Sequence, residues 1–121
     1  MYRSLLIARI TPGTEGEIAR IFSESDRTDL PRVAGVRQRE LYSLGDCYVH
    51  LLETDRPGQL ALDDARQQVE FDRVSKRLSE YVSPYLPTWR SPRDAVATRF
   101  YDWAPANETR PNGSPREGGR R

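Results

Sequence analysis

The stretch Gly35-Val36-Arg37-Gln38-Arg39-Glu40-Leu41-Tyr42-Ser43-Leu44-Gly45-Asp46-Cys47-Tyr48-Val49-His50-Leu51-Leu52-Glu53 decides the fold. Gly35 to Leu44 alternates as a strand, and Cys47 to Glu53 reads as a second one. Between them Gly45-Asp46 forms a two-residue loop with Gly at its first central position, which signals a tight hairpin. That loop sets the register: Ser43 faces Tyr48, Leu41 faces His50 and Arg39 faces Leu52. Directly opposed residues point to the same side of a sheet. Arg37, Arg39, Leu41 and Ser43 therefore share a face with Tyr48, His50 and Leu52, provided no bulge intervenes. Arg39 and His50 become diagonal neighbours, roughly 7–8 Å apart at the backbone and within reach of one ligand.

Working outward, Tyr2 to Ile10 is an apolar run that stops at Thr11-Pro12-Gly13, a turn signal. Thr14 followed by Glu17 has the spacing of a capping box, and Ile18, Ile21 and Phe22 recur at helical spacing. This helix should fade near Asp26, ahead of Asp29-Leu30-Pro31. After the hairpin, Pro57 opens a helix through about Gln67. Phe71, Val74, Leu78 and Tyr81 mark another, ended by Pro84 and Pro87. Ala97 to Trp103 is rich in β-formers and is predicted as the last strand.

The order β-α-β-β-α-β is that of a ferredoxin-like α+β domain, an antiparallel sheet with helices on one face. The other face must be covered or wet. Leu6 and Ala8, with Val49 and Leu51, are candidates for it, and sheet-to-sheet pairing in a homodimer would bury it. The working domain should span residues 1–103. From Ala104 to Arg121, Pro, Gly, Asn, Arg and Glu dominate and no large apolar residue occurs, so this segment is predicted as a disordered tail.

Composition narrows the function classes. The chain has 121 residues, 31% of them charged, which suits one domain. Lys plus Arg number 19 against 18 Asp plus Glu, and all but Lys76 of the basic residues are Arg. Scattered and matched by acids, they do not form the basic stripe of a nucleic-acid binder. No apolar run approaches a membrane span, and the N-terminus lacks the apolar core and cleavage site of a signal peptide. A lone Cys47 and a lone His50 exclude an intrachain disulfide and zinc-finger spacings, and a reducing cytoplasm is the simplest location. There is no Gly-rich phosphate loop and no nucleophile elbow, so chemistry without metal or organic cofactor is the economical expectation.

Three polar residues carry the candidate site. His50, mid-strand beside Val49, Leu51 and Leu52, reads equally as a core histidine or a catalytic one. Arg39 on the same face must be paired, solvated or offered to a ligand, because burying it alone is prohibitive. An Arg beside a His suits proton transfer next to a developing oxyanion, and lowers the His pKa. Asp26 is the acidic candidate, although by position it also reads as a helix-end carboxylate pairing with Arg27. An aromatic set such as Phe71, Tyr81, Tyr85 and Trp89 is more often core than ligand platform, although a pocket between helices and sheet lined by it would suit a flat phenolic ligand.

These residues resemble a known family. Tyr2-Arg3-Ser4-Leu5, Asp26-Arg27-Thr28-Asp29-Leu30-Pro31, Gly35-Val36-Arg37-Gln38-Arg39, Tyr48-Val49-His50-Leu51, Tyr81-Val82-Ser83-Pro84-Tyr85 with Trp89, and Phe100-Tyr101-Asp102-Trp103 are similar in order and spacing to small tetracenomycin-type aromatic polyketide cyclases. The resemblance implies a dimeric α+β barrel of two ferredoxin-like subunits, each with a cleft between sheet and helices. It implies cofactor-free aldol condensation and dehydration of an aromatic polyketide intermediate, with a transient contact to a type II polyketide synthase. By matching motif positions it implies that Asp26, Arg39 and His50 are the functional polar residues, expected here to be catalytic, and Ser25, Tyr48, Tyr85 and Trp89 are expected to bind the substrate. One departure stands out: relatives can carry a His immediately before the aspartate, where this chain has Ser25, which hydrogen-bonds but is no base near neutral pH. Two other readings share the fold. One is a cofactor-independent monooxygenase of phenolic polyketides, and the other a non-catalytic ligand-binding subunit of the synthase.

Overall fold

In the computed structural model, which describes residues 1–106, the hairpin forms as β2 (Val36–Leu44) and β3 (Cys47–Thr54). Gly45 takes a φ of +59° while Asp46 stays at negative φ, the combination a Gly-first two-residue turn requires. Ser43 opposes Tyr48, Leu41 opposes His50 and Arg39 opposes Leu52, as the loop dictates. The register then shifts between Val36 and Gln38. Arg37 falls at this irregularity and is exposed, so it does not join the face where Arg39 lies.

β1 (Tyr2–Ile10) pairs antiparallel with β3, and the short β4 (Val82–Pro84) closes a four-stranded sheet of order β2-β3-β1-β4. This is the ferredoxin-like arrangement expected from the element order. β3 alternates half-buried and buried residues along its whole length. Its buried set, Tyr48, His50, Leu52 and Thr54, faces the helices together with Ser4, Leu6 and Ala8 of β1. Leu6 and Ala8 therefore belong to the inner face, contrary to the sequence expectation. Side chains change sides at every residue, and the pairing of Leu6 with His50 and Ala8 with Tyr48 puts them inward. The outer face instead carries Leu5, Ile7, Tyr42, Val49 and Leu51.

Four helices follow the predicted spacing with one addition. α1 (Glu15–Ser25) buries Ile18, Ile21 and Phe22. The capping box expected at its start does not form: the Thr14 hydroxyl donates to the Thr11 carbonyl at 2.7 Å instead of accepting from the helix. A one-turn helix, α2 (Leu30–Ala34), was not legible as periodicity, being only five residues long. Pro31 at its start and Gly35 after its end, at φ +72°, bracket it. α3 (Gly58–Arg66) starts where a Cβ on Gly58 would lie 2.0 Å from Ser4 Oγ, so its first turn can sit directly on β1. α4 (Val69–Leu78) packs on α1, where Arg77 bonds Glu24 at 2.7 Å.

The predicted strand at 97–103 is absent. β1's free edge is taken by β4 at Ala8–Ile10, where Pro84 is tolerated because the strand is an edge. Nearer the start of β1, only a single bridge from Leu6 to Val96 and one bond from Ala97 N–H to the Leu5 carbonyl reach the edge. Beyond Ala97 no ladder follows among the described residues, and Phe100 and Trp103 are 89% and 69% exposed. The tail expected over 104–121 lies, from residue 107 on, outside the described residues. Among the described residues, no helix is long and apolar enough to cross a membrane.

Candidate active site

The inner face is packed solid at one end and hollow at the other. Ile10, Ile18, Ile21, Phe22, Tyr48 and Val74 form the core between sheet, α1 and α4. Toward α2 and α3 the residues facing the sheet shrink to Ala34, Ala61 and Ala65. Those methyl groups cannot reach across, and a cavity of about 380 Å³ remains, a size that suits a small organic ligand. Its walls are mostly apolar, among them Leu6, Leu52, Leu62, Phe71 and Trp89.

Polar groups converge where the hollow meets the core. The Arg39 guanidinium makes a two-pronged contact with Asp26, Nη2 to Oδ1 at 2.6 Å and Nε to Oδ2 at 3.1 Å. Its third arm, Nη1, lies 3.1 Å from His50 Nε2, and Tyr48 Oη lies 3.3 Å from His50 Nδ1. Phe22 is the platform: the Arg39 guanidinium carbon stands 4.8 Å from its ring centre, and the His50 ring meets it edge-on at 5.3 Å. Such cation–π contacts stabilise a desolvated cation by about 0.5–2 kcal/mol. Asp26 caps the C-terminal end of α1, where the helix dipole disfavours a carboxylate. Its pairing with Arg39 offsets that penalty, an arrangement more easily understood as serving the site than the helix.

Electrostatics follow from burial. His50 is 7% exposed, and burial, reinforced by the neighbouring Arg39 charge, lowers its pKa from 6.5 to about 3. It is thus a neutral imidazole near pH 7. Burial also pushes the Tyr48 phenol above its ordinary range, with Arg39 pulling weakly the other way. Because a guanidinium only donates, Nε2 must be the accepting nitrogen of His50 and the ring proton sits on Nδ1.

A family model described as polyketide synthesis cyclase matches residues 2–104. The chain belongs to that family. Among its relatives, an uncharacterized protein of Streptomyces coelicolor is 44% identical, over 85% of this chain and 95% of that protein. The polyketide synthase CurG of Streptomyces cyaneus is 40% identical, over 85% of this chain and 97% of that one. The solved structure of tetracenomycin F2 cyclase from Streptomyces glaucescens, a type-II polyketide cyclase, matches with a TM-score of 0.79 at 36% identity, covering 87% of this chain and 99% of that chain.

Within this polyketide cyclase fold, Arg39, His50, Tyr48, Ser25 and Trp89 all line the cavity. Asp26 does not; it stands behind Arg39, its side chain 39% exposed against 14% for Arg39. It pairs with Arg39 across the sheet–helix gap, and that contact replaces the local pairing with Arg27. Tyr85 is also outside the cavity: its half-exposed ring lies 5.0 Å from the Arg9 guanidinium, on the far side of β1's edge. Sequence reasoning did not single out Phe22, the platform, because a Phe on an apolar helix stripe looks like any core residue. It also missed Ser75, Ser79 and Ser83, which line the cavity from α4, its C-terminal cap and β4. The four-residue step from Ser75 to Ser79 along the helix end was the available signal; Ser83 lies on β4, where that spacing carries no information.

Proposed function

We propose that this cyclase-family chain closes and aromatises a ring of an aromatic polyketide intermediate by intramolecular aldol condensation and dehydration. The observation that carries the reading is the chain Asp26–Arg39–His50, which ends on the wall of an otherwise apolar cavity. An apolar hollow accepts the carbon skeleton and holds it folded in a near-attack arrangement, which can supply much of the acceleration. Arg39 keeps two N–H donors beyond its bonds to Asp26 and His50, and these are suited to a carbonyl or enolate oxygen. Asp26 does not touch the ligand space; it positions Arg39 and balances its charge.

His50 takes the proton. When a carbonyl oxygen draws Nη1 away from Nε2, the imidazole lone pair is freed beside the substrate. Burial and the Arg39 charge hold the His50 pKa low; an enolate growing beside the ring supplies the negative charge that raises its basicity as the proton arrives. The methylene between two carbonyls thus gives its proton to Nε2. The electron pair left behind forms a carbon–carbon bond to the ketone carbon, whose oxygen becomes an alkoxide and is reprotonated. Departure of that hydroxyl as water, with the adjacent hydrogen, completes the aromatic ring. Carbon is neither oxidised nor reduced overall, so the reaction calls for no redox cofactor.

The outer sheet face supports a homodimer. Leu5, Ile7, Tyr42, Val49 and Leu51 form a continuous apolar surface on which Leu5 and Tyr42 are exposed, and pairing two such faces removes it from water. Co-expression with a minimal aromatic polyketide synthase tests the function. The expected result is a new ring pattern in place of shunt products, without oxygen uptake. An unchanged product profile overturns the reading, and oxygen consumption would transfer the site to the monooxygenase alternative.

A further inference from the structure

Tyr48 occupies the end of the polar chain, and the direction of its hydrogen bond has a consequence. A phenylalanine would pack against Ala8, Phe22 and Val74 equally well, so the hydroxyl needs its own account. A buried hydroxyl costs about 1–3 kcal/mol when left without a partner. Here the partner is Nδ1 of His50 at 3.3 Å. Nε2 faces an Arg39 donor and must accept, so a neutral imidazole carries its proton on Nδ1 and donates it. The phenol oxygen is therefore the acceptor in that bond. Its own proton has no acceptor among the described residues, while Tyr48 lines the cavity.

We infer that the Tyr48 hydroxyl is a hydrogen-bond donor to a carbonyl oxygen of the ligand, aimed into the cavity by the Nδ1–H of His50. Donation then runs one way, from Arg39 to His50 to Tyr48 to the ligand, and each bond polarises the next. Burial keeps the phenol protonated through the neutral range, so the donor is always present. The polar wall thus offers donors on both flanks of His50. Arg39 addresses the oxygen on which negative charge develops, and Tyr48 addresses the carbonyl to be attacked. This deepens the proposed cyclisation and rests on it for the identity of that carbonyl, but the donor itself is testable without turnover.

The probes are anthraquinone, a flat ligand with carbonyls, and anthracene, the same skeleton without them. The Tyr48→Phe full-length chain should bind anthraquinone about tenfold more weakly than the parent and anthracene equally well, the size expected for one lost hydrogen bond. In the parent chain, the infrared carbonyl stretch of bound anthraquinone should shift to lower frequency. Because the chain has a single histidine, labelling it with nitrogen-15 reports one residue, and its spectrum should show Nδ1 protonated. The parent-chain nitrogen-15 spectrum needs no variant, so a proton found on Nε2 overturns the inference even if Tyr48→Phe does not fold. Equal anthraquinone affinity in the variant, an unshifted carbonyl, or a proton on Nε2 each overturns the inference. Loss of the carbonyl bond in Tyr48→Phe together with an unchanged product profile on co-expression would instead leave the donor standing and remove the cyclase assignment.

Discussion

Lowering the pH should destabilise this protein through one residue, and the size can be worked from the site. His50 is held neutral by burial and by Arg39, with a native pKa of about 3 against 6.5 in an unfolded chain. Between those values the unfolded chain binds a proton that the native chain refuses. Stability from this group is therefore complete above pH 6.5 and is lost as pH falls toward 3. Each pH unit well inside the window removes up to about 1.4 kcal/mol, so from pH 6 to pH 4 the loss attributable to His50 is about 2 kcal/mol. Urea denaturation at pH 6, 5 and 4, at one protein concentration, measures it by comparing the parent chain with His50→Gln. The glutamine oxygen can accept from Arg39 but does not titrate, and other carboxylates contribute alike to both proteins. The difference in unfolding free energy between parent and variant should shrink by about 2 kcal/mol on acidification. A constant difference across this range would show that His50 titrates as in an open chain, and the neutral, one-way relay would fall with it.

Other perturbations separate the parts of the site. Asp26→Asn should lower kcat at least about tenfold while changing stability by no more than about 1 kcal/mol, since the lost ion pair is partly exposed and the helix end is relieved of a disfavoured charge; steady-state kinetics and urea melts read the two. Ala65→Phe should fill the cavity and abolish anthraquinone binding while the fold persists in circular dichroism, because Ala65 faces the hollow rather than the packed core. Val49→Asp, opposite Tyr42 and Ile7 on the outer face, should halve the mass seen in sedimentation; an unchanged mass would place the subunit contact elsewhere.

The hairpin shows why parts of this molecule are readable in the chain and others are not. Gly45-Asp46 determines a register in which every opposed pair follows, so Arg39 and His50 could be placed on one face from local chemistry alone. The same local logic failed one strand away. Whether Leu6 points in or out depends on the pairing of β1 with β3, a contact of long sequence separation that no turn specifies. The stretch 97–103 has strand-forming residues, but β-propensity does not choose a partner: Val82–Pro84 makes the ladder with Ala8–Ile10, and the later segment meets β1 only through the Leu6–Val96 bridge and the Ala97 N–H bond to the Leu5 carbonyl. Asp26 was legible as a carboxylate at a helix end; its preference for Arg39 over Arg27 depends on how α1 lies across β2. The cavity was least legible of all, because it arises from what Ala34, Ala61 and Ala65 fail to fill.

In the proposed cyclisation the Arg39–His50 pair performs chemistry on a polyketide held in this cavity. Rates and ring patterns of the Arg39→Ala and His50→Ala chains, measured on the intermediate released by a minimal synthase, test it most directly. Each variant should lose about a hundredfold or more in kcat, the order expected when an oxyanion donor or a general base is removed, while still binding anthracene. Parent-like rates with the same ring pattern in both variants would contradict it, leaving the cavity as a mould that folds the chain without reacting with it.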